Sequence, residues 1–388
     1  MKNILPKYSR PLDWIKDPYV DPDKWNDAIE LYDNWEIRES IISVINYMNS
    51  NLLKWKDLKK DIKILHNQWS SNISIELNNK KIKVEVPFLK ITDKTNRIAL
   101  LRKIAEINYY DLTLPQIILE DTKLFFRSEI DIELAQHYSV YDIIRQCALN
   151  ADKYDDIFID KYKAEFLNKP EFNELSDKNK DIVINHIREI LKDYKEHVEY
   201  FKKKWFDNFE WDAIIIALLQ ISNMSYINWK LRTDLIENID MLFNGDMSFN
   251  LRRDKWTSFI KKIINMSDEE LLKNIYHTEL LISLRWRSSP TIMVDVMNDF
   301  TEIIDKYINS WNTFALAYYL QWAFLKILYD YNLDKNYKES IIMTLEKVSW
   351  KKPDDIYKEL VELYNAIREK EVRQFLRKKQ TFFKKLFW

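Results

Sequence analysis

Alternate residues of an extended strand share one face, and Glu129, Asp131 and Glu133 stand at that spacing. Carboxylates gathered there would suit a hard cation such as calcium or magnesium. A second acidic set, Asp295, Asp299, Glu302 and Asp305, recurs at the three- and four-residue steps of one helix face. No histidine completes the Glu-x-x-His spacing of bundle carboxylate metal sites. The first set alternates with Ile130 and Ile132, the pattern of an ordinary solvated strand face, and the second reads as the wet face of a helix. The histidines (His66, His137, His186, His197, His277) are scattered. On one helix, the separation of His186 from His197 would be a rise of about 16 Å, too far to share a metal. The single cysteine, Cys147, falls on an apolar stripe and reads as a small buried hydrophobe rather than a nucleophile. No catalytic, metal or cofactor-binding residue is assigned, and no cofactor is expected.

Composition narrows the chemistry further. Of 388 residues only Gly245 is glycine, where average usage of roughly 7% would supply about 27. Glycine-rich phosphate loops, the dinucleotide turn and the nucleophile elbow all need backbone that glycine alone gives cheaply, so none can be written here. Sixty basic and 61 acidic residues leave a net charge of −1, so no global field draws the chain to nucleic acid or to an anionic membrane.

Two local patches could hold a partner. In NADKYDDIFIDKY, Asp152, Asp155 and Asp156 read as an acidic patch on the exposed side of a helix, with Tyr154 opposite. The C-terminal run carries Arg373, Arg377, Lys378, Lys379, Lys384 and Lys385 interleaved with Phe375, Phe382, Phe383, Phe387 and Trp388. A basic, aromatic, amphipathic end suits a groove on a protein partner, then a membrane surface, with nucleic acid third. It equally suits a last helix packed on its own domain.

The elements that must position these residues fall into three stretches. Residues 1–34 interleave Pro6, Pro11, Pro18 and Pro22 with Trp14, Tyr19, Trp25 and Tyr32, which reads as an extended arm rather than a helix. Over 35–167 the period alternates: a helix over 34–55, a hairpin (Ile73–Leu77, Asn78-Asn79, Ile82–Val86), a short third strand at Phe88–Ile91, a helix capped by Thr95 or Asn96, a second hairpin after Pro115, and a helix from Ser139 toward Phe166. From 176 to 388 only helices are expected, at 176–205, 208–222, 225–243, 249–265, 267–285, 290–330 with a break near Ser310, 336–349 and 353–386. The apolar stretches Ala213–Ile221, interrupted by Gln220, and Phe314–Tyr331, interrupted by Gln321 and Lys326, read as buried helices. Fourteen tryptophans are expected mostly as core anchors.

The predicted class is α+β: a small antiparallel sheet in α-β-β-(β)-α-β-β-α order, then an all-α domain. That order, with NRIALLRKIAEIN, the hairpin LPQIILEDTKLFFRSEIDIEL and the helix YDIIRQCALNADKYDDIFIDKY ending in Ala151, Asp152, Tyr154, Asp155 and Asp156, resembles the type III secretion chaperone-like domain, in particular its YbjN-type branch. The resemblance covers a third of the chain and implies a curved sheet backed by helices, frequent dimerisation, and apolar grooves for an extended client segment, without turnover. The chain departs from that family in its large helical addition. The expected role is thus a non-enzymatic adaptor or chaperone with a protein client and a possible homodimer; the second alternative is a metal-dependent hydrolase or nucleotide-modifying enzyme with its metal on Glu129, Asp131 and Glu133 or on the Asp295–Asp305 helix, and the third is a helical structural subunit of a larger assembly. The opening MKNILPKYSRPLDW has no apolar secretion segment, so the expected location is cytoplasmic.

Overall fold

The computed structural model describes residues 6–11, 20–168, 175–204, 209–224, 226–242, 246–276, 280–283, 285–349 and 353–386. The chain divides into two compact units, and each is built from more than one stretch. The α+β unit holds Asp17–Asn173 and His277–Leu284. The helical unit holds Met1–Lys16, Glu174–Tyr276 and Arg285–Trp388.

In the α+β unit, helices α1 (Pro22–Asp33) and α2 (Ile37–Met48) precede strands β1 (Ile62–Gln68), β2 (Ser71–Leu77) and β3 (Lys81–Lys90). Helix α3 (Arg97–Tyr110), strands β4 (Gln116–Glu120) and β5 (Lys123–Asp131), helix α4 (His137–Tyr162) and the short β6 (Glu165–Phe166) follow. The sheet runs β1-β2-β3-β5-β4 with every pairing antiparallel, and β6 adds to the far end of β3. Ile62, Ile64, Ile73, Ile75, Leu77, Ile82, Val84 and Val86 turn to the buried face, where α2 and α4 supply Val44, Ile45, Val140, Ile144 and Cys147. Period-two burial along β2 and β3 is the physical cause of this layer: a one-residue slip would put every isoleucine in water.

The helical unit comprises α5 (Asp177–Lys204), α6 (Phe209–Ser222), α7 (Trp229–Leu242), α8 (Phe249–Asn265), α9 (Asp268–Leu272), α10 (Pro290–Asn309), α11 (Thr313–Asp330), α12 (Lys335–Val348), α13 (Pro353–Arg368) and α14 (Val372–Leu386). A parallel pair of two-residue strands, β7 (Trp286–Arg287) and β8 (Tyr331–Asn332), lies among them. In α6 every residue from Ala213 to Ile221 is buried, and α11 is nearly as enclosed, so both are central helices with no wet face. No helix among the described residues is long and apolar enough to cross a membrane.

The expected α+β class with a helical second part is what the structure has, with several corrections of detail. The arm is not extended throughout: Asp21 caps α1 and Pro22 occupies its first turn, where a missing N–H costs nothing, and Trp25 and Ala28 are buried. Residues 6–11 belong to the helical unit instead. Strand β1 went unread, and the expected third strand at Phe88 is the continuation of β3 past an irregularity at Pro87. The expected helix over 267–285 stops at Leu272, and that over 353–386 breaks where Lys370 turns left-handed. The turn residues Asn78-Asn79, of a type that tolerates left-handed backbone, do not adopt it; Asn78 Oδ1 instead accepts the amides of Lys80 (2.8 Å) and Lys81 (2.9 Å).

Scarce glycine leaves its mark on the helix ends. The residue after a helix C-cap commonly adopts left-handed backbone, a place usually given to glycine. Here Trp35 (φ 64°), Trp311 (φ 55°) and Lys370 (φ 58°) fill it, and the amides of Glu36, Asn312 and Glu371 close the motifs on Leu31, Tyr307 and Ala366. Trp35 is 85% exposed and Trp311 87%, so neither recovers the backbone cost through packing. Trp311→Gly is expected to raise stability by about 1 kcal/mol, measured as a rise in urea midpoint. Trp55→Gly is the control, since Trp55 is equally exposed and lacks the left-handed backbone, and should give no gain.

Candidate segment-binding site

The β1–β2 hairpin closes through Trp69 and Ser70, with Gln68 paired to Ser71. Trp69 is left-handed at φ 49° and buried. Helix α4 pins this turn from below. Ser70 Oγ lies 2.9 Å from Asp152 Oδ1 and also within hydrogen-bonding distance of Asp155 Oδ2, and the Ser70 amide reaches Asp152 Oδ1 at 3.4 Å. One hydroxyl proton cannot serve two carboxylates. Burial, and then the charge of Asp152, hold the Asp155 carboxyl well above the usual carboxylate range. When Asp155 holds a proton it can donate to Ser70, which then donates to Asp152, and both contacts are met.

The turn so fixed presents Gln68, whose side chain is wholly buried. Its Oε1 accepts the amides of Leu281 (2.8 Å) and Ile282 (3.0 Å), and its Nε2 donates to the Ile282 carbonyl at 3.0 Å. A side-chain amide thereby stands in for a strand's peptide group. Leu281 and Ile282 are buried in the core of the α+β unit, so residues 277–284 enter this unit as a separate short piece of chain. The contact is made by main chain plus two adjacent aliphatic side chains.

The residues singled out in the sequence are distributed as follows. Asp155 is buried rather than on an exposed face, and Asp152 is half-buried beside it, because Ser70 draws both into the turn. Tyr154 is buried and donates its hydroxyl to Asp111 Oδ2 at 2.6 Å. Asp156 donates its amide to Asp155 Oδ1 at 2.6 Å. The acidic ending of α4 is therefore turn-holding machinery, not an open patch.

On α14, Val372, Phe375 and Leu376 pack inward while Arg373, Arg377 and Lys378 are exposed. Lys379 Nζ pairs with Glu359 Oε2 (2.8 Å) and Glu362 Oε2 (2.6 Å), and Lys378 Nζ with Glu362 Oε1 (3.2 Å). Part of the basic run is thus answered within the unit by α13. The side chains of Phe382, Phe383, Lys384 and Lys385, and Trp388 altogether, lie outside the described residues.

The acidic stripes do not converge. Glu129 pairs with Lys81 at 2.6 Å, and Glu133 lies in a 3-10 turn after β5, off the strand face that the spacing predicts. Asp295, Asp299, Glu302 and Asp305 line the exposed face of α10. Among the described residues no three His, Cys, Asp or Glu side chains group so as to hold a metal. Cys147 is buried, and burial pushes its thiol pKa up, away from thiolate chemistry. Of the helical-half tryptophans, Trp256 is core, with its indole N–H on the Asn238 carbonyl at 3.0 Å, whereas Trp286 and Trp311 are exposed.

No protein-family model matches this chain, and no curated protein matches its sequence.

Proposed function

We propose that this chain is a non-enzymatic, cytoplasmic protein-binding adaptor whose α+β unit takes an extended segment of a client protein. The observation that carries the reading is the Gln68 amide paired with the backbone of Leu281 and Ile282, which gives the chemistry of such a site in atomic detail. Main-chain pairing supplies affinity and the burial of two aliphatic side chains supplies selectivity. Turnover needs no part in it. In this reading the α+β unit works as the secretion chaperone-like domains do that its order of elements resembles, with its own residues 277–284 as the resident occupant.

A fluorescent peptide of residues 278–285 tests it on the full chain. In the chain carrying Leu281→Ser and Ile282→Ser the resident segment loses its anchors, and the peptide should bind about tenfold more tightly than to the unaltered chain, whose own segment competes at high effective concentration. Adding Gln68→Leu to that variant should abolish the gain. A folded Leu281→Ser, Ile282→Ser chain that takes up no peptide would end the client-segment reading.

A further inference from the structure

The helical unit contains a second, independent main-chain reader. Residues 6–10 lie among α5, α6, α11 and α12, and side chains of these helices and of Ser349 at the end of α12 hold five backbone polar groups of the segment. Gln321 Nε2 donates to the Pro6 carbonyl (2.7 Å), and Gln220 Nε2 donates to the Lys7 carbonyl (3.1 Å). The Lys7 amide donates to Asp193 Oδ2 (2.8 Å), the Tyr8 amide to Ser349 Oγ (2.8 Å) and the Ser9 amide to Gln220 Oε1 (2.8 Å). Gln220, Gln321 and Ser349 are all buried, with Gln321 at 0% exposure. The Tyr8 ring enters the unit's core, and the Arg10 guanidinium lies 3.3 Å from Glu339 and 3.6 Å from Glu346.

The fit is incomplete at two points. Gln321 Oε1 is buried and accepts no hydrogen bond, and the residue beside it, Pro6, has no N–H to offer. The Tyr8 hydroxyl is likewise buried with no partner. A buried polar atom left unmet costs roughly 1–3 kcal/mol, so this groove is better suited to a segment other than the one it holds. A ligand with an ordinary amide in place of Pro6 can reach Gln321, and phenylalanine in place of Tyr8 leaves no hydroxyl stranded.

We propose that this groove is a binding site for an extended segment of a partner protein, one with a non-proline residue, a phenylalanine and an arginine where the arm has Pro6, Tyr8 and Arg10. The arm is its resident, displaceable occupant. Backbone capture by Gln220, Gln321, Asp193 and Ser349 sets the extended conformation; the aromatic pocket and the Glu339–Glu346 pair set the sequence. This site stands without the one at Gln68, since no residue is shared.

Two labelled heptapeptides test it on the full chain: residues 5–11 as they stand, and the same peptide with Pro6→Ala and Tyr8→Phe. In a chain whose arm carries Tyr8→Ala and Arg10→Ala, the altered peptide should bind about thirtyfold more tightly than the unaltered one, two relieved polar groups at the low end of their cost. Replacing Glu339 and Glu346 by lysine should remove that binding and admit a peptide with glutamate for arginine. Equal affinity of the two peptides, or no uptake by the folded arm variant, overturns the proposal. Should that variant not fold, amide hydrogen exchange in the unaltered chain decides. Excess altered peptide should speed exchange at Lys7, Tyr8 and Ser9, and unchanged rates overturn the proposal.

Discussion

Gln68→Leu should destabilise the α+β unit by about 3–5 kcal/mol, because the Leu281 amide, the Ile282 amide and the Ile282 carbonyl lose one common partner while staying buried. Leucine nearly matches glutamine in volume, so the cavity term is small and the loss reports hydrogen bonding. Urea unfolding followed by sheet-sensitive circular dichroism measures the total, and amide exchange at Leu281 and Ile282 locates it. Gln68→Glu separates the two halves of the interaction. A carboxylate still accepts from both amides, yet it turns an acceptor toward the Ile282 carbonyl, so this variant should be weakened at neutral pH. A buried carboxyl has a raised pKa, and the protonated acid recovers a donor; the same variant should therefore regain stability as pH falls. A Gln68→Leu chain within about 1 kcal/mol of the parent would mean that solvent or other groups satisfy the segment, and the side-chain amide would lose its assigned role.

The sheet was legible because its burial is periodic. Ile73, Ile75 and Leu77 against Ile82, Val84 and Val86 leave one register that buries all six, and β2 and β3 have it. Strand β1 escaped because its alternation lasts only through Ile62 and Ile64 before His66, Asn67 and Gln68, where a polar residue occupies a buried position. That polar residue has a partner in the fold: Gln68 points inward to meet a segment more than 200 residues away. The same holds for Gln220 and Gln321, which in the sequence register only as breaks in apolar helices. Their partners are Lys7, Ser9 and Pro6, at separations of 211 to 315 residues, and no local pattern encodes such a pairing. A buried glutamine inside an apolar run was the one available signal, since a side-chain amide taken from water must find both a donor and an acceptor. The acidic end of α4 was misread for a related reason. Helical spacing separates faces, but it cannot say which face a serine from another element will occupy.

Asp212→Asn should reshape the pH dependence of the helical unit. Asp212 lies in the first turn of α6, and burial pushes its carboxyl from its ordinary 3.8 up to about 7. Its charge is also felt by Tyr307, Tyr318 and Tyr319, whose phenols are raised chiefly by their own burial. Between these two pKa values the folded chain keeps a proton that the unfolded chain has released. Stability therefore falls as pH rises through that window, and the full loss is present above about 7. The shift of about 3 units sets an upper bound near 4 kcal/mol, which the α6 N-terminus reduces by favouring the anion. Burial raises Asp155, Asp193 and Asp330 in the same direction, with the charges of Lys326, and of Lys7 and His197, opposing it at Asp330 and Asp193. His186 pulls the other way: burial lowers its pKa, so the folded chain loses stability as pH drops and the unfolded histidine charges. The parent should accordingly be most stable in mildly acidic solution. Asparagine at 212 removes this titration while keeping the shape, so the variant should match the parent near pH 4, gain on it as pH rises to about 7, and keep that gain above. Parallel stability curves for the two chains across that range would mean that Asp212 is ionised in the folded state, held by water or by the α6 amides rather than by a proton.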